Sequence, residues 1–472
     1  FSYLRLLALL TMSGHVRGLI LSHSILQMFF VSLVTNQLLF RRRFLSRGRR
    51  IQTASYINKP RGFLNSSERI QFFSSSTHRF NYIGKPITID VETYGRVHCA
   101  ILGSRGLVAQ RLLQRLLNHS WLNPVAVVGS PSTVGMNLRE QEWYLDEERP
   151  ELPDMVVKGL VDVENLIEEL HEEGVQIIFS ALPDNVAELV EEKLASAGFI
   201  VISHALLHRL ENHVPLVIPD VNPSHLSLLK SQDYADGKLI SCSNCTVVPL
   251  ALTVEPLHRN FPIESIHITT DQALSGGGRK LLAKGRMGEP ISSEIPGEAE
   301  SVEKELRRIL GTNLHGRILP AEFSVSAKCN RVVRDHGHLA RVEVKFLEEI
   351  SAHEIIRVWR RYASRTQELE LPSSPNKPII FVDGKLNIDE HRWVGSDTKC
   401  PSIDSLAAMS VAVGEVEVIG NSLLYTVVAD NTIRGAAGYS VLLAELLLVE
   451  GILHDSNTIL ESEQSRLEMS KK

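Results

Sequence analysis

The chain has 472 residues, 43% hydrophobic and 22% charged, a composition that fits a globular protein of two or three domains. Of its 50 Lys and Arg and 55 Asp and Glu, 13 basic residues and one acid (Glu68) fall within residues 1–89; the remainder is left about 17 charges negative, which speaks against a nucleic-acid surface on the main body. Five cysteines, an odd and sparse set, argue against a disulfide framework and for a reducing compartment in which a thiol stays reactive.

Residues 1–89 are rich in Arg and Ser. From Met28 they read MFFVSLVTNQLLFRRRFLSRGRR, with Ser74–Thr77 further on, which is the composition of an organelle transit peptide. A signal anchor is a second reading, since the largely apolar Leu19–Phe40 precedes Arg41–Arg43. Ser22, His23, Ser24, Gln27, Asn36 and Gln37 interrupt that run and rank a membrane span lower. A third reading is sequence joined to the body by mis-splicing. At the other end, 451–472 reads as a charged tail.

The body opens with Val97–Leu102, a short apolar run that predicts a buried strand. Gly103-Ser104-Arg105-Gly106-Leu107-Val108-Ala109 follows, and then Leu112, Leu113, Leu116 and Leu117 at helical spacing. In a strand–turn–helix, glycines at 103 and 106 let backbone N–H groups and a helix N-terminus face a pyrophosphate. A tight turn of any α/β unit is the alternative for this element alone. Val125–Val128 predicts the next strand. The segment after it, Gly129-Ser130-Pro131-Ser132, has no acid to repel a ribose 2′-phosphate and no arginine to hold one. A helix at Val163–Glu172, strands at Gln176–Ser180, Phe199–Ser203 and Leu239–Ser241, and a helix at Ala187–Ala197 complete a strand–helix alternation. It predicts an α/β fold with a Rossmann-type doubly wound parallel sheet.

Ser241-Cys242-Ser243-Asn244-Cys245-Thr246 leads into a helical apolar pattern at Val247, Val248, Leu250, Ala251, Val254 and Leu257. Cys245 is thereby expected at the carboxyl end of a strand, where sites of open sheets collect, and at a helix N-terminus, whose dipole favours thiolate. Cys242 and Cys245 also form a C-x-x-C, a redox pair or half a zinc site. No second C-x-x-C is present to complete zinc ligation, and no metal is expected. An inert core thiol is the remaining reading.

Several segments in order, GSRGLVAQ at Gly103, FSALP at Phe179, PLVIPDVNP at Pro215, SNCT at Ser243, TTDQALSGGG at Thr269, CNRV at Cys329 with His338 beyond it, and NTIRGAAG at Asn431, together resemble the aspartate-semialdehyde dehydrogenase family, in its archaeal and fungal subgroup, over about residues 97–450. The resemblance implies Cys245 as nucleophile, His338 as general acid/base with an ordinary pKa near ~6.5, and Gln272 orienting the acyl group. It implies Arg331, Glu298, Arg209 and Asn244 around the substrate. Gly103, Ser104, Arg105, Gly106, Leu107, Val108, Ser130, Ser180, Ala181, Leu182, Gly276 and Asn431 are implied around an NADP cofactor. It further implies an NADP-binding domain of residues 97–247 and 426–450, and an inserted α+β catalytic and dimerisation domain of 248–425. The final helix, from about Ala436 to Glu450, would pack back on the first domain.

The implied reaction is reduction of L-aspartyl 4-phosphate to L-aspartate 4-semialdehyde through a Cys245 thioester, in the lysine, methionine and threonine branch of amino-acid biosynthesis. Small-molecule substrate and phosphate are the implied partners, with no nucleic acid or stable membrane partner. A homodimer or homotetramer is implied, in the cytoplasm, or in mitochondria where residues 1–89 act as a transit peptide. Departures from the family pattern bear on the phosphates. Arg105 stands for a threonine, and Ser132 and Met136 for the Arg and Lys that hold the NADP 2′-phosphate, which leaves NAD open; Arg105 is the substitute cation to test. Ser301 stands for a phosphate-binding lysine, His204 for an asparagine and Asp430 for a histidine. A paralogue reducing another acyl phosphate or a CoA thioester such as malonyl-CoA, and a non-catalytic relative, are the competing readings.

Overall fold

A computed structural model describes residues 88–453; the readings of residues 1–87 and of the tail beyond Leu453 lie outside it. Six strands form the first sheet: β1 (Val97–Leu102), β2 (Leu122–Gly129), β3 (Lys158–Gly159), β4 (Ile177–Ser180), β5 (Ile200–Ser203) and β6 (Lys238–Ser241). Their order is β3-β2-β1-β4-β5-β6 with every pairing parallel. This is the doubly wound arrangement expected. It forms because β4 and β5 are wholly buried, apolar runs that only a sheet covered on both faces can bury. Helices α1 (Leu107–Leu116), α2 (Val163–Glu172) and α3 (Asp184–Ser196) supply the covers. The short β3 had no expectation: two residues carry no periodicity to read.

Cys242–Thr246 link β6 to α4 (Val247–Asn260), after which the second sheet begins. It comprises β7 (Ile263–Gln272), β10 (Ser324–Arg331), β11 (His338–Phe346), β12 (Ile379–Phe381), β13 (Val411–Ile419) and β14 (Ser422–Ala429), in the order β10-β7-β11-β14-β13-β12. A two-stranded ribbon, β8 (Thr312–Leu314) and β9 (Arg317–Leu319), precedes β10. The longer helices of this half are α5 (Gly278–Arg286), α6 (Glu298–Ile309) and α7 (Ala352–Arg360). On the second sheet, Ile266, Val342 and Val344 are buried, while His267, Ser326, Lys328, Arg341 and Glu343 are exposed.

The boundary expected between residues 425 and 426 is corrected here. It would cut β14, whose residues through Ala429 pair with β11, so the second sheet ends only there. A π-turn at Ile433–Ala437 then leads into α8 (Gly438–Val449), two residues later than expected because the wider turn absorbs Ala436 and Ala437. Every residue of α8 is buried, and it packs on α1. Among the described residues no helix is long and apolar enough to cross a membrane.

Candidate active site

The turn from β6 into α4 is held from several sides. Glu305 on α6, itself buried, accepts hydrogen bonds from Ser243 Oγ and Asn244 N, both at 2.8 Å. Asn244 Oδ1 accepts from Thr246 N at 2.7 Å, and Tyr439 OH on α8 donates to the Ser243 carbonyl at 3.2 Å. Behind the turn lies Gly435. A Cβ there would stand 2.8 Å from the Cys245 carbonyl oxygen and 2.9 Å from its Cβ, so only glycine allows the π-turn this close.

Three strand ends bring the other side chains to Cys245. Gln272 ends β7 and pairs in register with Arg331, which ends β10; His338 begins β11. Cys245 Sγ lies 3.4 Å from His338 Nε2. Ala273 N donates to His338 Nδ1 at 3.2 Å, and the Ala273 carbonyl accepts from Arg331 Nη1 at 2.7 Å. One backbone unit thus fixes both the ring and the guanidinium. A Cβ on Gly276 would meet Arg331 Nη1 at 2.9 Å and the His338 ring at 3.1 Å. Glu298 Oε1, at the start of α6, accepts from Asn244 Nδ2 at 3.0 Å and Gln272 Nε2 at 2.9 Å. Asn431 sits behind the ring: its Oδ1 accepts from Gly337 N at 3.0 Å, and its Nδ2 donates to Ser275 Oγ at 3.0 Å.

The electrostatics correct two expectations. Burial, reinforced by the Glu298 carboxylate, pushes the Cys245 thiol up to about 12, outweighing Arg209, Arg331 and the Thr246 side chain. His338 keeps no ordinary pKa: burial, then Arg331 and Arg334, push it down to about 3. The resting pair is therefore an uncharged thiol and imidazole. Because the Ala273 N–H occupies Nδ1, the ring proton is assigned to Nε2, which faces Sγ as a donor. Such a ring offers its Nε2–H to an oxyanion as a hydrogen bond; taking a proton at Nε2, which makes it the imidazolium acid, requires shifting to the Nδ1–H tautomer and giving up the Ala273 bond. Cys242 is buried at Tyr439, with its thiol pushed up to about 12 by burial, as suits a bystander.

Arg209 also departs from expectation. Its Nη1 donates to Glu305 Oε1 and its Nη2 to the His204 carbonyl, both at 3.0 Å. Burial opposes its charge, but Glu305 holds it, so this cation is already neutralised rather than open to phosphate. Ser301 Oγ adds a fourth donor to Glu305 and no charge. Asp430, at the position of the family histidine, is buried; against the effect of burial, Arg392 and Arg111 keep it ionised.

A dinucleotide fits the first sheet's edge. Gly103 has φ 100°, and a Cβ on it would lie 2.6 Å from the Ala181 carbonyl oxygen, so the loop rests directly on Ser180–Leu182. Gly106 starts α1 with no side chain capping it, which leaves N–H groups of the first turn, at Leu107 and Val108, for a diphosphate. Ser104 and Thr133 converge on Gly129, while Ser130 and Ser132 bond each other at 3.0 Å on the surface beside exposed Met136. Arg105 is not free to serve as a substitute cation. Its Nη2 donates to Glu142 at 3.1 Å and to Tyr144 OH at 2.9 Å, and Arg279 Nη1 donates to the same hydroxyl at 3.3 Å. Glu305, Ala273 and Tyr144 were not anticipated, whereas Gly435 stands in a glycine run expected to permit close backbone approach. Glu305 alone left a signal, an acid on the apolar stripe of α6 beside Val302, Leu306 and Ile309.

The chain matches two family profiles, "Semialdehyde dehydrogenase, NAD binding domain" over residues 98–229 and "Semialdehyde dehydrogenase, dimerisation domain" over residues 254–434. It is 34% identical over 365 residues to the aspartate-semialdehyde dehydrogenase of Archaeoglobus fulgidus, covering 76% of this chain and all of that one. It is 31% identical to the malonyl CoA reductase (NADP) of Metallosphaera sedula, covering 75% of this chain and 97% of that one. The crystal structure of aspartate semialdehyde dehydrogenase with NADP from Candida albicans superposes with a TM-score of 0.63 at 28% identity, over 76% of this chain and 99% of that one.

Proposed function

The chain belongs to the aspartate-semialdehyde dehydrogenase family, and from that premise we propose that it reduces L-aspartyl 4-phosphate to L-aspartate 4-semialdehyde with NADPH. The observation that carries this is the 3.4 Å contact of Cys245 Sγ with His338 Nε2 inside the ring of Gln272, Glu298 and Arg331. The Cys245 thiol gives its proton to His338 Nε2, the ring shifting to its Nδ1–H tautomer and releasing the Ala273 N–H, as Sγ attacks the acyl carbon; the C–O bond to phosphate breaks and a thioester forms. Arg331 holds the substrate carboxylate by its guanidinium fork. Glu298 faces the substrate ammonium, while its Oε1, shared with Asn244 Nδ2, fixes the amide of Gln272, which orients the acyl oxygen. The nicotinamide, when bound, supplies the hydride that reduces the thioester carbon. The His338 imidazolium so formed protonates the oxygen that this reduction charges, takes that proton back as the C–S bond breaks and the aldehyde leaves, and returns it to the departing Cys245 sulfur.

NADP is the proposed cofactor. The absence of an acid at Gly129–Ser132 supports it, as does the Candida albicans structure with NADP. The serine hydroxyls, rather than Arg105, would face the 2′-phosphate. The matched dimerisation profile supports a homodimer or homotetramer. The cytoplasm is the proposed compartment, or mitochondria if residues 1–89 act as a transit peptide; a fluorescent fusion with and without them decides. A second reading, reduction of a CoA thioester such as malonyl-CoA, is favoured by one observation: Arg209 is spent on Glu305.

The test is phosphate-dependent oxidation of aspartate semialdehyde with NADP and with NAD, with wild type beside Cys245→Ala and malonyl-CoA plus NADPH in parallel. Activity on the semialdehyde that Cys245→Ala abolishes supports the proposal. Turnover of malonyl-CoA alone supports the second reading, and no turnover of either overturns both.

A further inference from the structure

In the first-sheet half, helix α3 and the segment after β5 bring acids and histidines together. His208 is buried; its Nδ1 lies 3.1 Å from Glu211 Oε1 and its Nε2 3.2 Å from Glu191 Oε2. Glu191 is 0% exposed, yet neither of its carboxylate oxygens has a hydrogen-bond partner, since the approach to His208 is out of line. Glu211 Oε2 is likewise buried and unpartnered. A carboxylate wholly removed from water, with one imidazole beside it and neither oxygen hydrogen-bonded, is costly, and such groups in folded proteins are met by an ion or an ordered water. In the described part of the chain, the ion pairs of Glu191 and Glu211 run to His208 and His213. Nearby Arg308 donates to the Glu211 and Val214 carbonyls. The cluster thus carries excess negative charge around one imidazole.

We propose that Glu192, His208 and Glu211 form a structural zinc site, with Glu191 orienting the histidine from behind. One donor atom from each of the three lies within 4.8 Å of the others. Donors at tetrahedral angles around one Zn²⁺ at about 2.0–2.2 Å are about 3.3–3.6 Å apart, so closure draws the donors in by up to somewhat more than an ångström, through the flexible carboxylates. One imidazole with two carboxylates suits zinc, whereas Mg²⁺ and Ca²⁺ select all-oxygen sets. With Nδ1 on the metal, Nε2–H turns to Glu191, the carboxylate–histidine–metal relay common behind zinc ligands. The site has a mechanical reach. His208 adjoins Arg209, which binds Glu305, which in turn holds Ser243 and Asn244 before Cys245. The cation braces that series from outside the chemistry. Sequence did not point to it because its ligands come from two segments and include no cysteine.

The experiment titrates the full chain carrying Cys245→Ser, so that the reactive thiol captures no metal, with Zn²⁺ alone, by calorimetry and thermal melting. One equivalent binds and raises the melting midpoint, and Mg²⁺ and Ca²⁺ do not compete. Glu192→Gln and His208→Gln each weaken binding at least tenfold. Glu192 is exposed, so its variant tests ligation without disturbing the core. Absence of zinc binding, equal affinity in wild type and Glu192→Gln, or Ca²⁺ bound as tightly as Zn²⁺ would overturn the site.

Discussion

Arg209 donates to the Glu305 carboxylate at 3.0 Å, and both side chains are largely withdrawn from solvent. The same carboxylate holds Ser243, Asn244 and Ser301, so it cannot turn away to release the arginine. Replacing Ser301 by lysine supplies Glu305 with a second cation and frees Arg209 for an anion. Ser301→Lys is therefore expected to lower the KM for phosphate in the oxidative direction roughly tenfold, the range of one hydrogen bond to a charged group. Initial rates against phosphate concentration check this, and an unchanged KM would contradict it.

Gly276 is the space that lets Arg331 and His338 converge. A methyl there meets the far end of Arg331, which can swing aside, and the His338 ring, which cannot. Gly276→Ala is expected to cost at least a hundredfold in kcat/KM, through both substrate binding and proton transfer, with a melting midpoint within a few degrees of wild type. Steady-state kinetics beside thermal melting separate this from a folding defect, which would lower both.

With the thiol pushed up to about 12 and His338 down to about 3, neither group titrates between pH 7 and 9. The thiolate fraction of the free enzyme then rises about tenfold per pH unit through that window. Alkylation of Cys245 by iodoacetamide, followed by mass spectrometry, should show that slope. A plateau already reached at pH 7 would mean a resting thiolate–imidazolium pair.

Arg434 and Asp220 form an ion pair at 2.5 Å with both side chains fully buried. Asp220 Oδ1 also accepts from Thr366 Oγ1 at 2.9 Å and Gln367 Nε2 at 3.2 Å. Asp220→Asn leaves the guanidinium uncompensated and is expected to cost about 3–5 kcal/mol. Urea denaturation measures it; a loss under about 1 kcal/mol would show that water compensates the charge.

The parallel sheet was legible because its strands are short apolar runs and its helices amphipathic, so period and punctuation agreed: Val97–Leu102 and Val163–Glu172 form with the bounds expected. The pieces of the Cys245 site were legible as residue types within ordered motifs. Their charge states were not, since burial and the Ala273 N–H that fixes the His338 ring depend on chain segments far apart in sequence. The same holds for the cations. Arg209 and Arg105 read as free positive charges until Glu305 and Glu142, 96 and 37 residues away, are seen to hold them.

The central claim, that Cys245 carries the acyl group, is tested most directly by a single-turnover experiment without phosphate. Enzyme mixed with aspartate semialdehyde and NADP should release one NADPH per site in a burst. Mass spectrometry of the acid-quenched protein should find the aspartyl acyl group on the peptide containing Cys245, and Cys245→Ala should show neither. A burst of the same size in Cys245→Ala, or an acyl group on a different residue, would contradict the account.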